Sequence, residues 1–485
     1  MTSWNGQYVV FETRATNATA LNMNAVWNIV LRDLAGQSNV LISVNAQGTE
    51  SGNVHSLQPV ISADGRAVTF KSNFTNLVAG ATNKVFLRDW EAGVTTVVSH
   101  DEDPSIITNA VYPVLHDSPP AMTPDGRFVA YASVTNIYLF DRASNTTELV
   151  TVSLDGGGGA NGVCRNPRIS DNGRYVAFLS AATNLTTGSL DEDFQVYLRD
   201  MVAGQTTLVS RGLDGTGRGE CPMLAMTPSG SVIVFQSLSN NLVPDDNNAW
   251  HDIFAYDRLA GTIERISESG AFTQSATTTG YLTIGRQSLS ADGRYVAYAS
   301  FPGAARTGDT SPWAALYRQD LITGISRLVN VNTNGTVSTG GMPDAPMMSQ
   351  DGRYVAFRST ATDLVPETSG DHAQLYVRDL VDEKTRLVPH SEVKVTNVVG
   401  YRFSYEFAAA GRILLHESLD SVSSINYSQI YAYDIDQDTN ILVTLDSDGL
   451  GPAPAFSYIL TSARQGPVLM FRGLGATTST ISWYR

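Results

Sequence analysis

The chain has 485 residues, 42% of them hydrophobic and only 16% charged, with a net charge of -15 and a pI near 4.9. Phosphate binding needs a concentrated Lys/Arg surface and no basic run occurs, so nucleic acid is excluded as a partner and anionic membrane surfaces are disfavoured. No stretch approaches the roughly 20 apolar residues of a membrane helix, so no membrane insertion is expected.

Taken in chain order, Met1 leads straight into "TSWNGQYVVF", which already reads as folded sequence; no leader is visible, which says little about location. The phrase "NGQYVVF" (5–11) is the first of nine variants. It recurs as "DGRAVTF" (64–70), "DGRFVAY" (125–131), "NGRYVAF" (172–178), "SGSVIVF" (229–235), "DGRYVAY" (292–298) and "DGRYVAF" (351–357). Two degenerate copies follow, "AGRILLH" (410–416) and "QGPVLMF" (465–471), and successive glycines lie 47 to 63 residues apart. A fixed period of this size marks a repeat architecture in which one closed array runs the length of several ordinary domains.

Each copy follows one grammar. A short apolar segment such as "PRIS" or "PMMS" runs into Asp-Gly or Asn-Gly, which supplies the positive backbone angles of a two-residue hairpin. After variable residues comes a second run ("NIVLRD", "KVFLRD", "QVYLRD", "QLYVRD"), and after a short turn a third ("TTVVS", "TTLVS"). Four short strands per unit in meander order are predicted, with no helical periodicity between them. Strands such as "RYVAF" are apolar on both faces, so both must be covered by neighbouring sheets. Four-stranded sheets covered on two sides by their own kind are the blades of a β-propeller.

The predicted fold is therefore all-β, a single closed β-propeller spanning 1–485. Its units lie near 1–45, 57–99, 113–152, 165–211, 222–267, 284–329, 343–389, 400–445 and 454–485. Nine copies predict nine blades. Eight would result if the late segment "SYILTSA" completed the first unit, which has only Met1 to Trp4 before its turn.

The pattern "S-x-DGRYVAF-x-S-x-ATNL…VYLRD…G-x-TTLVS" resembles the TolB-like, PD40-type propeller repeats of bacterial periplasmic, secreted and surface proteins. The resemblance covers nearly the whole chain and is best around Gly173, Gly293 and Gly352. It implies a secreted, periplasmic or surface location and specifies fold far more than function, because such propellers serve as scaffolds, binding modules and occasionally enzymes.

The recurring Asp at the end of the second run (Asp33, Asp89, Asp141, Asp200, Asp257, Asp320, Asp379, Asp434) is expected to cap the following turn. The Arg of "DGR" is expected along the hairpin edge. Oxygen-rich loops suit calcium. The candidate metal loop is "VPDDNNAWHD", with Asp245, Asp246, Asn248 and Asp252, and a second acidic cluster is Asp191, Glu192 and Asp193. Neither is a full EF-hand.

Cys164 and Cys221 occupy equivalent positions in consecutive units, so either a disulfide between them or two buried free thiols is expected. The seven histidines are scattered, and no zinc, nucleophile-elbow or phosphate-loop motif appears. "DGGGGANG" (155–162) reads as a flexible connector. Trp90, Trp250 and Trp313 are candidates for stacking on sugars, with inter-blade packing as the competing reading. Function is expected to be that of a monomeric binding module or scaffold for a protein or carbohydrate ligand. The alternative is a polysaccharide lyase or hydrolase with its site in the propeller funnel, drawing residues from several blades.

Overall fold

The structure, a computed structural model, describes residues 1–82, 84–99, 118–133, 135–188, 193–244, 246, 251–266, 282–300, 314–339, 346–366, 373–389, 405–408, 411–422, 425–447 and 457–458. These form eight four-stranded antiparallel sheets and no helix. We number the blades 1 to 8 by their hairpin glycines: Gly6, Gly65, Gly126, Gly173, Gly230, Gly293, Gly352 and Gly411.

The second strand of blade 4, Tyr175–Ser180, shows why the repeat makes blades. All six residues are buried. Val176 and Phe178 pack into the wedge shared with blade 3, while Tyr175, Ala177 and Leu179 pack into the wedge shared with blade 5. The two-residue period of a strand thus feeds two cores at once. Eight such cores exist, one for each pair of neighbouring blades, including blades 8 and 1. The eighth wedge is what makes the sheet array a ring.

Within a blade, an aromatic pair crosses the two central strands. Phe178 stacks on Tyr197 at 5.6 Å, Phe235 on Phe254 at 5.6 Å and Phe357 on Tyr376 at 5.7 Å. Such pairs add to area burial roughly 0.5–1.5 kcal/mol each. Blade 8 keeps the arrangement with His416 on Tyr431.

The expectation of nine blades is corrected to eight. The late segment Ser457–Tyr458 pairs antiparallel with Tyr8–Thr13 of blade 1, opposite Thr13 and Glu12. Thr2 bridges Val9 lower on the same strand. Both chain ends therefore share the innermost position of one blade, because Met1 to Trp4 is too short to fill it. Ser457 Oγ donates to Thr13 Oγ1 at 3.0 Å, closing the seam. A closed array leaves no sheet face exposed at a seam.

Candidate functional site

The arrangement of turns defines two faces. The Asp-Gly hairpins and the outer turns lie together on one face, which we call the turn face. The loops after "RYVAF" and the linkers between blades lie on the other, the loop face.

On the turn face the recurring charges find partners within their own blade. In Ser-x-Asp-Gly-Arg, Ser62 Oγ donates to Asp64 Oδ1 at 2.5 Å, which also accepts from Arg66 N at 3.0 Å. The Asp ending the third strand caps the outer turn, as expected: Asp200 Oδ1 accepts from Val202 N and Ala203 N, both at 3.0 Å. The same carboxylate binds the Arg of the hairpin, in the pairs Arg66–Asp89, Arg127–Asp141, Arg174–Asp200, Arg294–Asp320 and Arg353–Asp379. The fork is bidentate in blade 3, with Arg127 Nε and Nη2 at 3.0 and 2.8 Å. Hydrogen bonds from these guanidiniums hold Asp200 and Asp320 down to about 2.

The inner mouth of this face is a run of main-chain bonds from blade to blade. Trp4 N donates to Ala63 O and Ala63 N to Pro124 O, both at 2.8 Å; Asp171 N likewise reaches Pro228 O. Pro124 and Pro228 have no N–H, so the run stops at each of them.

On the loop face the linker is clamped by the next blade. Ala46 N donates to Asn76 O, Leu154 N to Asn184 O, Leu213 N to Asn241 O, Thr333 N to Asp363 O and Ser447 N to Asn17 O, at 2.7–2.9 Å. Each acceptor is the Asn or Asp of the "ATNL" element. The linker "DGGGGANG" is thus corrected from a flexible connector to a hydrogen-bonded turn. Asp155 Oδ1 accepts from Ser153 Oγ at 2.6 Å and from Gly157 N at 3.0 Å, and Gly156 takes the positive φ of 70° that the turn demands. With Thr183, Asn184 and Thr186 it lines a shallow groove of about 660 Å³.

Of the candidate calcium loop, Asp246 and Asp252 fall on described residues. Asp246 and Asp252 are both buried, and between them lies the guanidinium of Arg265, whose Nη1 is 3.0 Å from Asp246 Oδ1 and 3.8 Å from Asp252 Oδ2. Arg265, at the end of the outermost strand Thr262–Arg265, thus supplies a cation to both carboxylates. Asp245 and Asn248 lie outside the described residues, as do Asp191 and Glu192; Asp193 is exposed. Among the described residues no group of three His, Cys, Asp or Glu could hold a metal.

Cys164 and Cys221 are free and buried. Of the two expectations the structure has the thiols, not the disulfide. Cys164 packs in the wedge between blades 3 and 4, Cys221 in that between blades 4 and 5, so the sheet of blade 4 stands between them. Equivalent positions on consecutive blades face the same way round the ring and cannot face each other. Cys164 Sγ donates to Ser180 Oγ at 3.1 Å, where blade 2 has the pair Ser56 and Ser72, and burial pushes the thiol up to about 12.

The described histidines are engaged in packing and turns. His55 Nδ1 accepts from Trp27 N at 3.1 Å, and burial lowers it, helped by Arg14. His416 Nε2 bonds Asn440 Oδ1 at 3.0 Å. His251 is lowered mainly by burial, against the raising effect of Asp252. His100, His116, His372 and His390 lie outside the described residues, with Trp250 and Trp313. Trp90 packs edge-on to Tyr8 at 5.8 Å and donates to Gly65 O at 2.8 Å, an inter-blade contact and not a sugar platform.

Sequence reasoning missed one asymmetry. Two residues beyond each capping Asp stands the tip of an outer turn. In blades 4 to 7 the tips are Val202, Leu259, Ile322 and Val381, exposed by 76%, 77%, 77% and 66%. In blades 8, 1, 2 and 3 they are Asp436, Ala35, Glu91 and Ala143. The signal was in the repeat alignment, at a column that looked merely variable.

A closed ring of eight blades with self-paired turns defines the chain as an eight-bladed β-propeller. No family model matches the sequence, and no curated protein matches it. Among solved structures it is similar to Porphyromonas gingivalis dipeptidyl peptidase 4, with TM-score 0.57 and 13% identity over 92% of this chain and 59% of that one. The chain thus spans less than two thirds of that protein. Further similar structures are oligogalacturonate lyase of Vibrio parahaemolyticus (TM-score 0.45, 12% identity, 85% and 94% covered) and TolB of Acinetobacter baumannii (TM-score 0.32, 19% identity, 79% and 80% covered). The likeness is one of fold alone.

Proposed function

We propose that the protein is a propeller scaffold that holds a protein partner against the turn-face rim of blades 4 to 7. One observation carries this reading: four consecutive blades place an exposed aliphatic side chain at the same turn tip, and the other four place Ala or an acid there. Single exposed aliphatics need no explanation, but an arc in register confined to half of a ring is a surface of the kind partners use. In blades 4, 6 and 7 the arc is framed by paired Arg and Asp side chains, which supply a polar rim. The resemblance to TolB-like repeats supports a location in the bacterial periplasm or outside the cell, and the acidic balance supports a soluble monomer when the arc is free.

The test replaces the four tips together by Asp in the full chain. Solubility and melting should not change, because the tips are exposed. Proteins crosslinked to the native chain in an envelope or secreted fraction should be lost from the variant and kept by an Asp436→Asn control. An identical crosslinking pattern for the native chain and the four-tip variant would overturn the reading.

A further inference from the structure

Linkers on the loop face make one kind of turn and cap it in two ways. In the linkers entering blades 4 and 5 the third residue of the turn is the cap: Asp155 Oδ1 accepts from Gly157 N and Asp214 Oδ1 from Thr216 N, both at 3.0 Å. In the linkers entering blades 2 and 7 the first residue is the cap, and it is an asparagine. Asn45 Oδ1 accepts from Thr49 N at 3.0 Å and Asn332 Oδ1 from Thr336 N at 2.9 Å. Asn332 is held in that role, since its amide donates to Thr336 Oγ1 at 2.9 Å and to Asp363 Oδ2 at 3.2 Å.

Asn334 stands where Asp155 and Asp214 stand in their linkers, but the donor it would cap is already taken. Its side chain is exposed and makes no hydrogen bond among the described residues. Gly335 follows it with a φ of 83°, and a glycine sets no side chain against the approach of its own nitrogen to the preceding carboxamide.

The chain has three other Asn-Gly pairs, all exposed, and each holds its carboxamide. Asn5 Oδ1 accepts from Ser3 Oγ at 2.8 Å and Gln7 N at 3.1 Å. Asn172 Oδ1 accepts from Ser170 Oγ at 2.7 Å and Arg174 N at 3.1 Å. Asn161 Oδ1 accepts from Thr183 N at 2.8 Å and its amide donates to Thr183 Oγ1 at 2.9 Å. The main-chain bond of the glycine does not separate them, because Gly335 N to Asn332 O at 3.0 Å is matched by Gly6 N to Ser3 O at 3.0 Å and Gly173 N to Ser170 O at 2.8 Å. What sets Asn334 apart is a free carboxamide.

We propose that Asn334 is a site of non-enzymatic covalent modification, deamidation through a succinimide with water as the co-reactant. The Gly335 nitrogen gives its proton to solvent base and attacks Asn334 Cγ. A C–N bond forms, the Cγ–Nδ2 bond breaks, and the amide nitrogen leaves as ammonia after taking a proton from solvent. Water then opens the imide at one of its two carbonyls, leaving aspartate or isoaspartate. Water enters, ammonia leaves, and nothing is oxidised or reduced. The linker gains a negative charge, in the aspartyl product at the position where Asp155 and Asp214 already carry one. The site lies on the loop face, so its failure leaves the turn-face scaffold reading standing, and the reverse.

The experiment incubates the folded full chain in warm, mildly alkaline buffer and follows tryptic peptides by mass spectrometry, with chromatography to separate the isoaspartyl product. Cleavage after arginine puts the four pairs on separate peptides, 1–14, 143–165, 169–174 and 328–353. Peptide 328–353 should gain the mass of deamidation at least about tenfold faster than the other three, whose carboxamides must first shed hydrogen bonds of about 1 kcal/mol each. In denaturant that advantage should disappear. Asn332→Ser returns Thr336 N to Asn334, as Ser153 leaves Gly157 N to Asp155, and should slow the conversion in the folded chain. Should that variant not fold, Asn334→Gln at the exposed position decides, and should abolish the mass gain. Equal rates for the four pairs in the folded chain, an unchanged rate in folded Asn332→Ser, or a gain that persists in Asn334→Gln overturns the proposal.

Discussion

The two faces of the ring hold their blades together by different means. On the turn face the recurring hairpin Ser, Asp and Arg close on the capping Asp of their own blade, and the links between blades are the main-chain run at the inner mouth and single side chains, such as Arg142 of blade 3 on Asp89 of blade 2 and Arg318 of blade 6 on Gly352 O of blade 7. On the loop face each blade depends on its neighbour, since the linker leaving one blade is held by the "ATNL" carbonyl of the next. The turn face can therefore lose one pair and keep its ring, whereas the loop face transmits any fault across a wedge.

That contrast can be broken at its strongest point by Gly219→Val. Gly219 has a φ of 77°, and an added Cβ would lie 2.7 Å from Ser239 N of the same blade's loop. Strain and displaced backbone together should cost about 3 kcal/mol, read by denaturant unfolding.

Next in size is a paired test of the turn face. Asp379→Ala removes a buried carboxylate that accepts from Val381 N, Asp382 N and Arg353. It should cost about 2 kcal/mol. Asp257→Ala, in blade 5 where Ser231 replaces the hairpin Arg, removes only the cap to Leu259 and Ala260. About 1 kcal/mol is expected there. Equal losses would show that the Arg–Asp pair adds nothing to the cap.

Acid sharpens the same point. Asp200 and Asp320 sit at about 2 in the fold against an ordinary 3.8, so their contribution is present above about pH 4 and disappears as pH falls through about 2. Melting temperature should drop over that window. Arg174→Gln should flatten the drop, because Asp200 then returns toward its ordinary value and has less to lose.

The smallest effects are expected between the faces, at the thiols. Neither Cys164 nor Cys221 should react with a thiol reagent in the folded chain, and both should react in denaturant, with no change on adding reductant. Cys164→Ala should cost about 1 kcal/mol, for a small cavity and an unpaired Ser180 hydroxyl.

Much of the fold was legible because the repeat states local rules. Asn-Gly or Asp-Gly marks the hairpin, although the turn is longer than the two residues expected, with Ser62 N on Ala67 O and only Gly65 at a positive φ; "RYVAF" is apolar on both faces, and an Asp after a strand caps the turn that follows. The cysteines were harder: equivalence in sequence was visible, but which side of a sheet each thiol faces is set by strand parity within a blade. The pairing of Asp246 and Asp252 with Arg265 was not legible, because Arg265 comes from a strand that is distant in pattern and adjacent only in the sheet.

By itself the sequence determined the blade, since in blades 2 to 8 the four strands that pair lie within some 60 residues of chain. Only the tertiary structure decided the number of blades. Ring closure depends on whether Ser457 lies against Thr13 or starts a sheet of its own, a contact 444 residues apart that no local pattern encodes. The same holds for the four aliphatic tips of blades 4 to 7. Their positions in the repeat are ordinary, and closing the ring is what sets them side by side.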